Sequence, residues 1–235
     1  MIELWIPITI LAAFSQNLRS ALQKHLKSRL STAGATYVRF FYAIPFALLY
    51  LVILNQVFEL PLPQPNANFI GFGIIGGATQ IIATALLVYL FSFRNFAVGT
   101  AYSKTETAQT AVFGLIILGD PLTPGAIIGI MVSLVGVMAI STARQEGGLK
   151  NILQSLFQKT ALIGLASGAM FGISAISYRA ASLSLGGDGV LIQAAYTLGC
   201  VTIFQTLIMT LYLQVKEKGE VNNVLRNWRV AILVG

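Results

Sequence analysis

Charged residues are scarce in this chain, and their scarcity excludes most classes of soluble protein. Asp, Glu, Lys and Arg make up 10% of the 235 residues, against about 25% in soluble domains. Hydrophobic residues make up 56%, and the mean hydropathy is +0.78, so the composition predicts an integral membrane protein. The net charge of +7 is expected of basic cytoplasmic loops. Without nucleic-acid motifs, it does not indicate nucleic-acid binding.

Cysteine and histidine are almost absent, which excludes several kinds of chemical site. Cys200 is the only cysteine and His25 the only histidine, so neither an intrachain disulfide nor a two-histidine metal site can form. The motifs HExxH and GxSxG do not occur, which argues against a membrane-embedded enzyme. The P-loop pattern GxxxxGK[ST] is missing too. We therefore expect no catalytic residue, no metal and no cofactor, and an ion or solute gradient as the energy source.

Long apolar runs fill most of the chain. Runs of about 18–25 residues can cross a ~30 Å hydrocarbon core, and here they are separated by breakers such as ELPLPQPN, DPLTPG and LGGDG. They are too long and continuous for barrel strands of about 10 residues. The predicted fold is an all-α, polytopic transmembrane helical bundle. The seven predicted spans, followed by the start of an eighth at VAILVG, are residues 4–26, 32–55, 68–91, 96–118, 123–142, 160–181 and 188–214.

Two pairs of spans share a weak internal repeat. Phe14 of the first span aligns with Phe171 of the sixth, and Tyr42 of the second aligns with Tyr196 of the seventh, at similar sequence offsets. This predicts two five-helix units in a ten-helix fold, residues 1–142 and 160–235, and an odd number of helices inverts the second unit. We expect the second repeat to be truncated, because the chain stops inside an apolar helix.

The junction of spans four and five resembles that of EamA-type proteins of the drug/metabolite transporter superfamily. An apolar helix leads into LGDPLTP and then into a glycine-spaced helix, and Phe14 to Asn17 is similar to the family's pattern in helix one. Asp120 stands where the family usually has Glu. The resemblance implies a ten-helix exporter or permease for small metabolites or drugs, and it does not name the substrate.

The stretch TAYSKTETAQ, residues 100–109, places two charges inside span four. If the helix begins at Phe96, Glu106 lies about 15 Å into the membrane, where an ionised group costs roughly 2.5–3.5 kcal/mol. We therefore interpret Lys104 and Glu106 as a substrate or proton site, with Arg39 of span two as the partner of Glu106. Two alternatives stay open: a buried structural ion pair, or a loop if the span begins at Thr107.

Other polar residues are candidates for contact with a solute. Span one carries a polar stripe that includes Gln16, although its outer half could also be a helix emerging into water. Four tyrosines could bind a solute or could anchor the protein at the membrane interface. The glycine-rich face around Gln80 could contact a solute or could serve helix packing. Two small-residue faces, in spans five and six, are predicted to pack helices, and packing is the alternative for the glycine face of span three. The remaining candidates are Gln16, Asn17, Gln80, Gln193, Tyr42, Tyr102, Tyr178 and Tyr196. The three faces are Gly73/Gly76/Gly77, Gly125/Gly129/Ser133 and Gly164/Gly168/Gly172.

These observations predict a secondary transporter in the cell membrane, of the bacterial inner-membrane type, that works by alternating access. A passive channel is the main alternative, and a membrane-embedded enzyme is the weaker one. The expected partners of the transporter are a small organic solute and the lipid bilayer, with protons as the candidate coupling ion. A homodimer is left open. Twelve of the 15 Lys and Arg residues lie in the second half of an odd-numbered span or after it, which predicts an external N-terminus, whereas the resemblance implies a cytoplasmic one.

Overall fold

The computed structural model describes residues 5–93, 96–119, 121–142, 158–187 and 189–235. Within these residues the regular structure is entirely helical, as predicted. The helices are α1 (Trp5–Leu26), α2 (Thr32–Phe41), α3 (Ile44–Gln56), α4 (Ala67–Leu90), α5 (Phe96–Ser103), α6 (Glu106–Phe113), α7 (Pro124–Thr142), α8 (Lys159–Ser184), α9 (Val190–Lys216), α10 (Glu220–Arg226) and α11 (Trp228–Ala231). A π-helical segment, Gly114–Leu118, continues α6.

The ends of the predicted spans differ from the described helix ends by no more than three residues. Among the described residues, four segments are long and apolar enough to cross a membrane, namely Thr32–Gln56, Ala67–Leu90, Lys159–Ser184 and Val190–Lys216. A shorter apolar helix covers Pro124–Val137. The protein is therefore a polytopic helical membrane protein.

Local sequence explains where several helices begin. The side chain of Ser31 accepts a hydrogen bond from the backbone N–H of Gly34 (2.9 Å) and caps α2. Asn66, after the proline-rich LPLPQP, caps α4 through the N–H of Phe69 (2.9 Å). Pro45 lies in the first turn of α3, where its missing N–H leaves no helical hydrogen bond unmade. Span two is two helices in series, separated at residues 42–43.

The interhelical contacts fix the relative directions of the central helices. Asn66 at the start of α4 donates to the carbonyl oxygen of Ser184 at the end of α8 (2.6 Å), so these two helices are antiparallel. Thr210 of α9 donates to the hydroxyl oxygen of Tyr37 in α2 (2.9 Å), and Ile192 near the start of α9 packs against Leu54 of α3. Helix α9 is therefore antiparallel to α2 and α3.

Small residues allow α8 to pack closely in the centre of the bundle. A Cβ atom on Gly164 would clash with backbone atoms of Gly99 in α5, and one on Gly172 would lie 3.1 Å from Thr110 and Phe113. Gly76 of α4 lies against the ring of Tyr178. The predicted packing face of span six is confirmed, and the glycine face of span three packs closely as well, because small residues permit this approach.

The predicted packing face of span five is wrong for the described part of the chain. Gly125 and Gly129 of α7 are exposed, and a Cβ atom at either would meet nothing within 4 Å. Helix α7 contacts α5 and α6, and Val137, near its end, packs in a buried cluster with Ala101 and Tyr102 of α5. The glycines of α7 point away from this contact.

A hydrophobic cluster closes the end of the bundle that holds the α1–α2 turn. Buried side chains from six helices, from the α1–α2 turn and from the final turn meet there: Leu26, Leu30, Tyr37, Val38, Phe40, Val88, Met209, Leu213, Val224, Ala231 and Val234. At the same end, Ser31 donates its backbone N–H to Glu220 Oε1 (2.6 Å) and its hydroxyl to Glu217. These contacts join the first two spans to the region that follows span seven.

Candidate functional site

The stretch TAYSKTETAQ interrupts span four, so the prediction of one continuous helix over residues 96–118 is wrong at this point. Helix α5 ends at Ser103, Lys104 and Thr105 form a tight turn, and α6 begins at Glu106. The backbone N–H groups of Lys104 and Thr105 bond to carbonyls only three residues earlier, at 3.0 and 3.1 Å. The turn lies inside the protein, because Ser103 and Thr105 are both buried.

Hydroxyl side chains add hydrogen bonds to carbonyl groups at the break. Ser103 donates to the carbonyl oxygen of Thr100 and Thr105 to that of Tyr102, each at 2.7 Å. Gly168 of α8 faces the turn, and a Cβ atom there would lie 3.0 Å from the carbonyl oxygen of Ser103. The Ser, Thr and Gly residues thus explain why a break is tolerated at membrane depth.

The position of Glu106 answers why a carboxylate occurs in this span. It is the first residue of α6, where a negative charge interacts favourably with the free N–H groups and the positive end of the helix dipole. The side chain is partly buried and interacts electrostatically with Lys104 and Arg39. The predicted partnership of Glu106 with Arg39 is therefore a longer-range attraction between opposite charges. In the described part of the chain, the two do not form a direct ion pair.

Arg39 occupies a fixed position between three helices. Its Nη1 donates to Thr84 Oγ1 of α4 (3.1 Å). Its guanidinium also lies 5.5 Å from the ring of Phe171 in α8 and 5.9 Å from that of Phe40. These are distances at which a cation is attracted to the face of an aromatic ring.

Arg19 of α1 joins this group and was not among the predicted site residues. It interacts electrostatically with both Arg39 and Lys104, and these two cations interact in turn with the carboxylate of Glu106. The signal that could have identified Arg19 is the polar stripe of span one. Gln16 and Arg19 are partly buried and Gln23 is buried, whereas Asn17 is exposed. The stripe therefore faces the interior of the bundle.

A second group of polar side chains lies near Gln80, which is one helical turn before Thr84 on α4. Gln205 of α9 donates from Nε2 towards Gln80 Oε1 (2.8 Å), Tyr178 Oη (3.0 Å) and the carbonyl oxygen of Gly77 (3.1 Å). Tyr178 of α8 donates its hydroxyl hydrogen to Gln80 Oε1 (2.8 Å). We refer to Gln80, Tyr178 and Gln205 as the amide–phenol cluster. Sequence analysis missed Gln205, although a buried amide in an apolar span indicates function or interhelical bonding.

A cavity of about 480 Å³ reaches the amide–phenol cluster from the α8–α9 turn. Gln193, Thr197 and Gln205 form buried parts of its wall, whereas Leu183 and Val190 at its rim are exposed. The lining residues are Gln80, Tyr178, Arg179, Ser182, Leu183, Val190, Gln193, Ala194, Thr197, Leu198, Val201, Thr202 and Gln205. The volume lies within the range of about 300–1,000 Å³ typical of small-molecule sites.

Gln193 has a structural contact besides its place in the cavity wall. Its Nε2 donates to the carbonyl oxygens of Gly186 (2.7 Å) and Gly187 (2.9 Å). Both glycines have positive φ angles, of 67° and 86°, which glycine adopts without strain. Gln193 therefore holds the α8–α9 turn at the mouth of the cavity.

The other three predicted tyrosines do not line this cavity. Tyr42 lies near α10, where its hydroxyl is 3.5 Å from the carbonyl oxygen of Val224. Tyr102 is buried beside Val137 and Ala161. The ring of Tyr196 lies 5.6 Å from that of Phe69, on another face of α9. Of the four predicted tyrosines, the structure therefore brings Tyr178 to the cavity.

Comparison with known proteins identifies the family. A family model described as the EamA-like transporter family matches residues 3–142, which is more than half of the chain. Neither the curated proteins nor the solved structures provide a significant match. The matched region contains the interrupted span four and the residues Arg19, Arg39, Lys104 and Glu106. The chain therefore belongs to the EamA-like transporter family and is a membrane transporter of the drug/metabolite transporter superfamily.

Proposed function

We propose that this protein is a secondary transporter that moves a small organic solute by alternating access of two inverted repeats. The observation that carries the proposal is the interrupted span α5–α6, which places Lys104 and Glu106 inside the bundle. Secondary transporters often form their solute and ion sites from such discontinuous helices. Members of the family are transporters and not enzymes, which agrees with the lack of catalytic motifs.

The directions of the helices support the inverted repeats. Helix α9 is antiparallel to α2 and α3, as an inverted copy of span two would be. Helices α8 and α9 are antiparallel neighbours joined by a short turn. The units proposed are residues 1–142 and 160–235.

Unequal closure of the two ends supports alternating access. The hydrophobic cluster and the bonds from Ser31 to Glu217 and Glu220 close one end. The cavity begins at the α8–α9 turn, which is at the other end of α9, and reaches Gln205. A transporter of this type must close one end of its path while the other is open.

Each polar group has a distinct proposed role. The amide–phenol cluster binds polar groups of the solute, because its oxygen and nitrogen atoms are already oriented by mutual hydrogen bonds. Glu106 exchanges the coupling proton, since a carboxyl group is the titratable acid at the break in span four. The location that fits these roles is the cell membrane, across which a proton gradient is maintained.

Proteoliposomes with an internal pH-sensitive dye provide the test. We expect one member of a panel of amino acids, carboxylates and amines to cause proton flux in wild-type vesicles. Tyr178→Phe should reduce that flux, because it removes the hydroxyl that bonds both Gln80 and Gln205. Tyr212→Phe is the matched control, since Tyr212 is exposed on α9 and away from the cavity.

The same vesicles distinguish transport from the alternative, a passive channel. Proton flux coupled to a solute, together with no unitary conductance in planar bilayers, supports the proposal. Unitary currents without solute-dependent proton flux would show a channel instead. The homodimer stays a prediction, which the mass of the purified protein in detergent would test.

A further inference from the structure

The central site contains more positive than negative charge. Arg19, Arg39 and Lys104 are all partly buried, they lie within electrostatic range of one another, and Glu106 is the carboxylate that interacts with Arg39 and Lys104. Three cations against one anion are costly at membrane depth unless water or a bound anion compensates them. The imbalance suggests that a ligand supplies the missing negative charge.

Arg39 is the cation best arranged to bind such a ligand. A guanidinium group has five N–H donors, and within the described residues the hydrogen bond of Arg39 is the one to Thr84. The rings of Phe40 and Phe171 hold its position without using those donors. A planar fork of free donors matches the two oxygens of a carboxylate.

Arg39 lies close to the cavity wall without being part of it. Its hydrogen-bond partner Thr84 lies one helical turn after Gln80, a residue of that wall, on α4. Tyr178, a second residue of that wall, also lies within electrostatic range of Arg39. A solute in the cavity could therefore place one end near Arg39 and its body beside apolar residues such as Val201.

We propose that the solute is a small organic carboxylate whose anionic group binds Arg39, with Arg19 and Lys104 adding positive charge and the cavity holding the solute's body. This inference rests on the proposed function and specifies its substrate class. Arg39 is then the residue that selects anionic over neutral and cationic solutes of the same shape.

Three planar probes of nearly equal shape test the proposal, namely benzoate, benzamide and benzamidine, which at pH 7.5 are anionic, neutral and cationic. Their binding to purified protein in detergent is measured by isothermal titration at constant ionic strength. We expect benzoate to bind at least about tenfold more tightly than benzamide, because charge-assisted pairs with Arg are the stronger ones. Benzamidine should bind most weakly.

Arg39→Gln should remove the preference for benzoate and leave benzamide binding unchanged. Arg229→Gln is the matched control, because Arg229 also lies near an aromatic ring, that of Trp228 (5.8 Å), and is exposed after span seven. If R39Q does not elute as a single species, Lys104→Gln replaces it, and benzoate affinity should fall while benzamide affinity does not. Arg39→Lys should retain part of the preference, since it keeps the charge and loses the fork.

Several results would overturn the inference. The first is that the wild type binds benzoate no more tightly than benzamide, or binds neither. The second is that the preference for benzoate is unchanged in R39Q, or in K104Q where that variant is used instead. Benzoate binding without any solute-dependent proton flux would contradict the proposed transport and leave the anion site intact. Gradient-driven transport of neutral solutes by a protein that does not bind benzoate would contradict the anion site and support the proposed transport.

Discussion

The approach of α8 to α5 yields a quantitative prediction for Gly164→Ala. The two helices meet backbone to backbone, because a Cβ atom on Gly164 would overlap the carbonyl oxygen, carbonyl carbon and Cα of Gly99. None of these atoms is the end of a flexible side chain, so the helices themselves must separate. Overpacking of this kind typically costs about 1–3 kcal/mol, and a clash with three backbone atoms belongs at the upper end.

The substitution also has a favourable effect that must be subtracted. Alanine is better than glycine in a helix interior by about 1 kcal/mol. We therefore expect a net loss of about 2 kcal/mol in the free energy of unfolding. For a protein of this size this lowers the midpoint of thermal unfolding by roughly 4–8 °C.

Gly129→Ala is the matched control on α7. A Cβ atom on Gly129 meets nothing within 4 Å, so this variant keeps the gain in helix propensity without a clash. Its midpoint should equal or exceed that of the wild type. Both variants are measured by intrinsic fluorescence during heating in the same detergent. A midpoint for G164A at or above the wild-type value, or equal to that of G129A, would refute the argument from backbone contact.

Three further predictions concern the charge at the break, the closed end and the orientation. Glu106→Gln keeps the shape of the side chain and deletes its charge, so gradient-driven transport should fall about 100-fold or more while the protein still elutes as a single species; wild-type rates across a range of pH would contradict this. Ser31→Ala removes the cap of α2 and the bond to Glu217, which should cost about 0.5–2 kcal/mol, whereas Ser28→Ala, at an exposed position, should not; equal unfolding midpoints for the two variants would show that the cap is unimportant. A cysteine at Asn151, in the α7–α8 connection outside the described residues and on a Cys200→Ser background, should be protected from an impermeant maleimide added outside the cell if basic connections are cytoplasmic; labelling from outside would favour the orientation that the family resemblance implies.

The membrane class and the positions of the spans were predictable from the sequence. Both depend on local properties: an apolar run of sufficient length spans the bilayer, and residues such as Ser31, Pro45 and Asn66 mark helix starts through their own backbone geometry and hydrogen bonds. The family, too, was recognisable, because its motif at LGDPLTP is a continuous stretch of chain.

The break inside span four was only partly predictable. Lys104 and Glu106 marked the place, but the pattern Ser-Lys-Thr-Glu fits an exposed loop, a continuous helix or a turn between two helices. The turn depends on Gly168, which lets α8 approach Ser103, and on hydroxyl groups that bond to carbonyls within the same segment. Packing by a helix distant in sequence therefore decided among the three.

The composition of the site was decided by tertiary structure alone. Gln80, Tyr178 and Gln205 come from three helices, and their hydrogen bonds join residues up to 125 positions apart, a separation that no local pattern reports. The small-residue faces show the same limit. Gly164 and Gly168 pack against α5 and the turn that follows it, whereas Gly125 and Gly129, with the same four-residue spacing, contact no other helix in the described residues. The spacing of glycines determines that a helix can be approached closely, and the arrangement of the other helices determines whether it is.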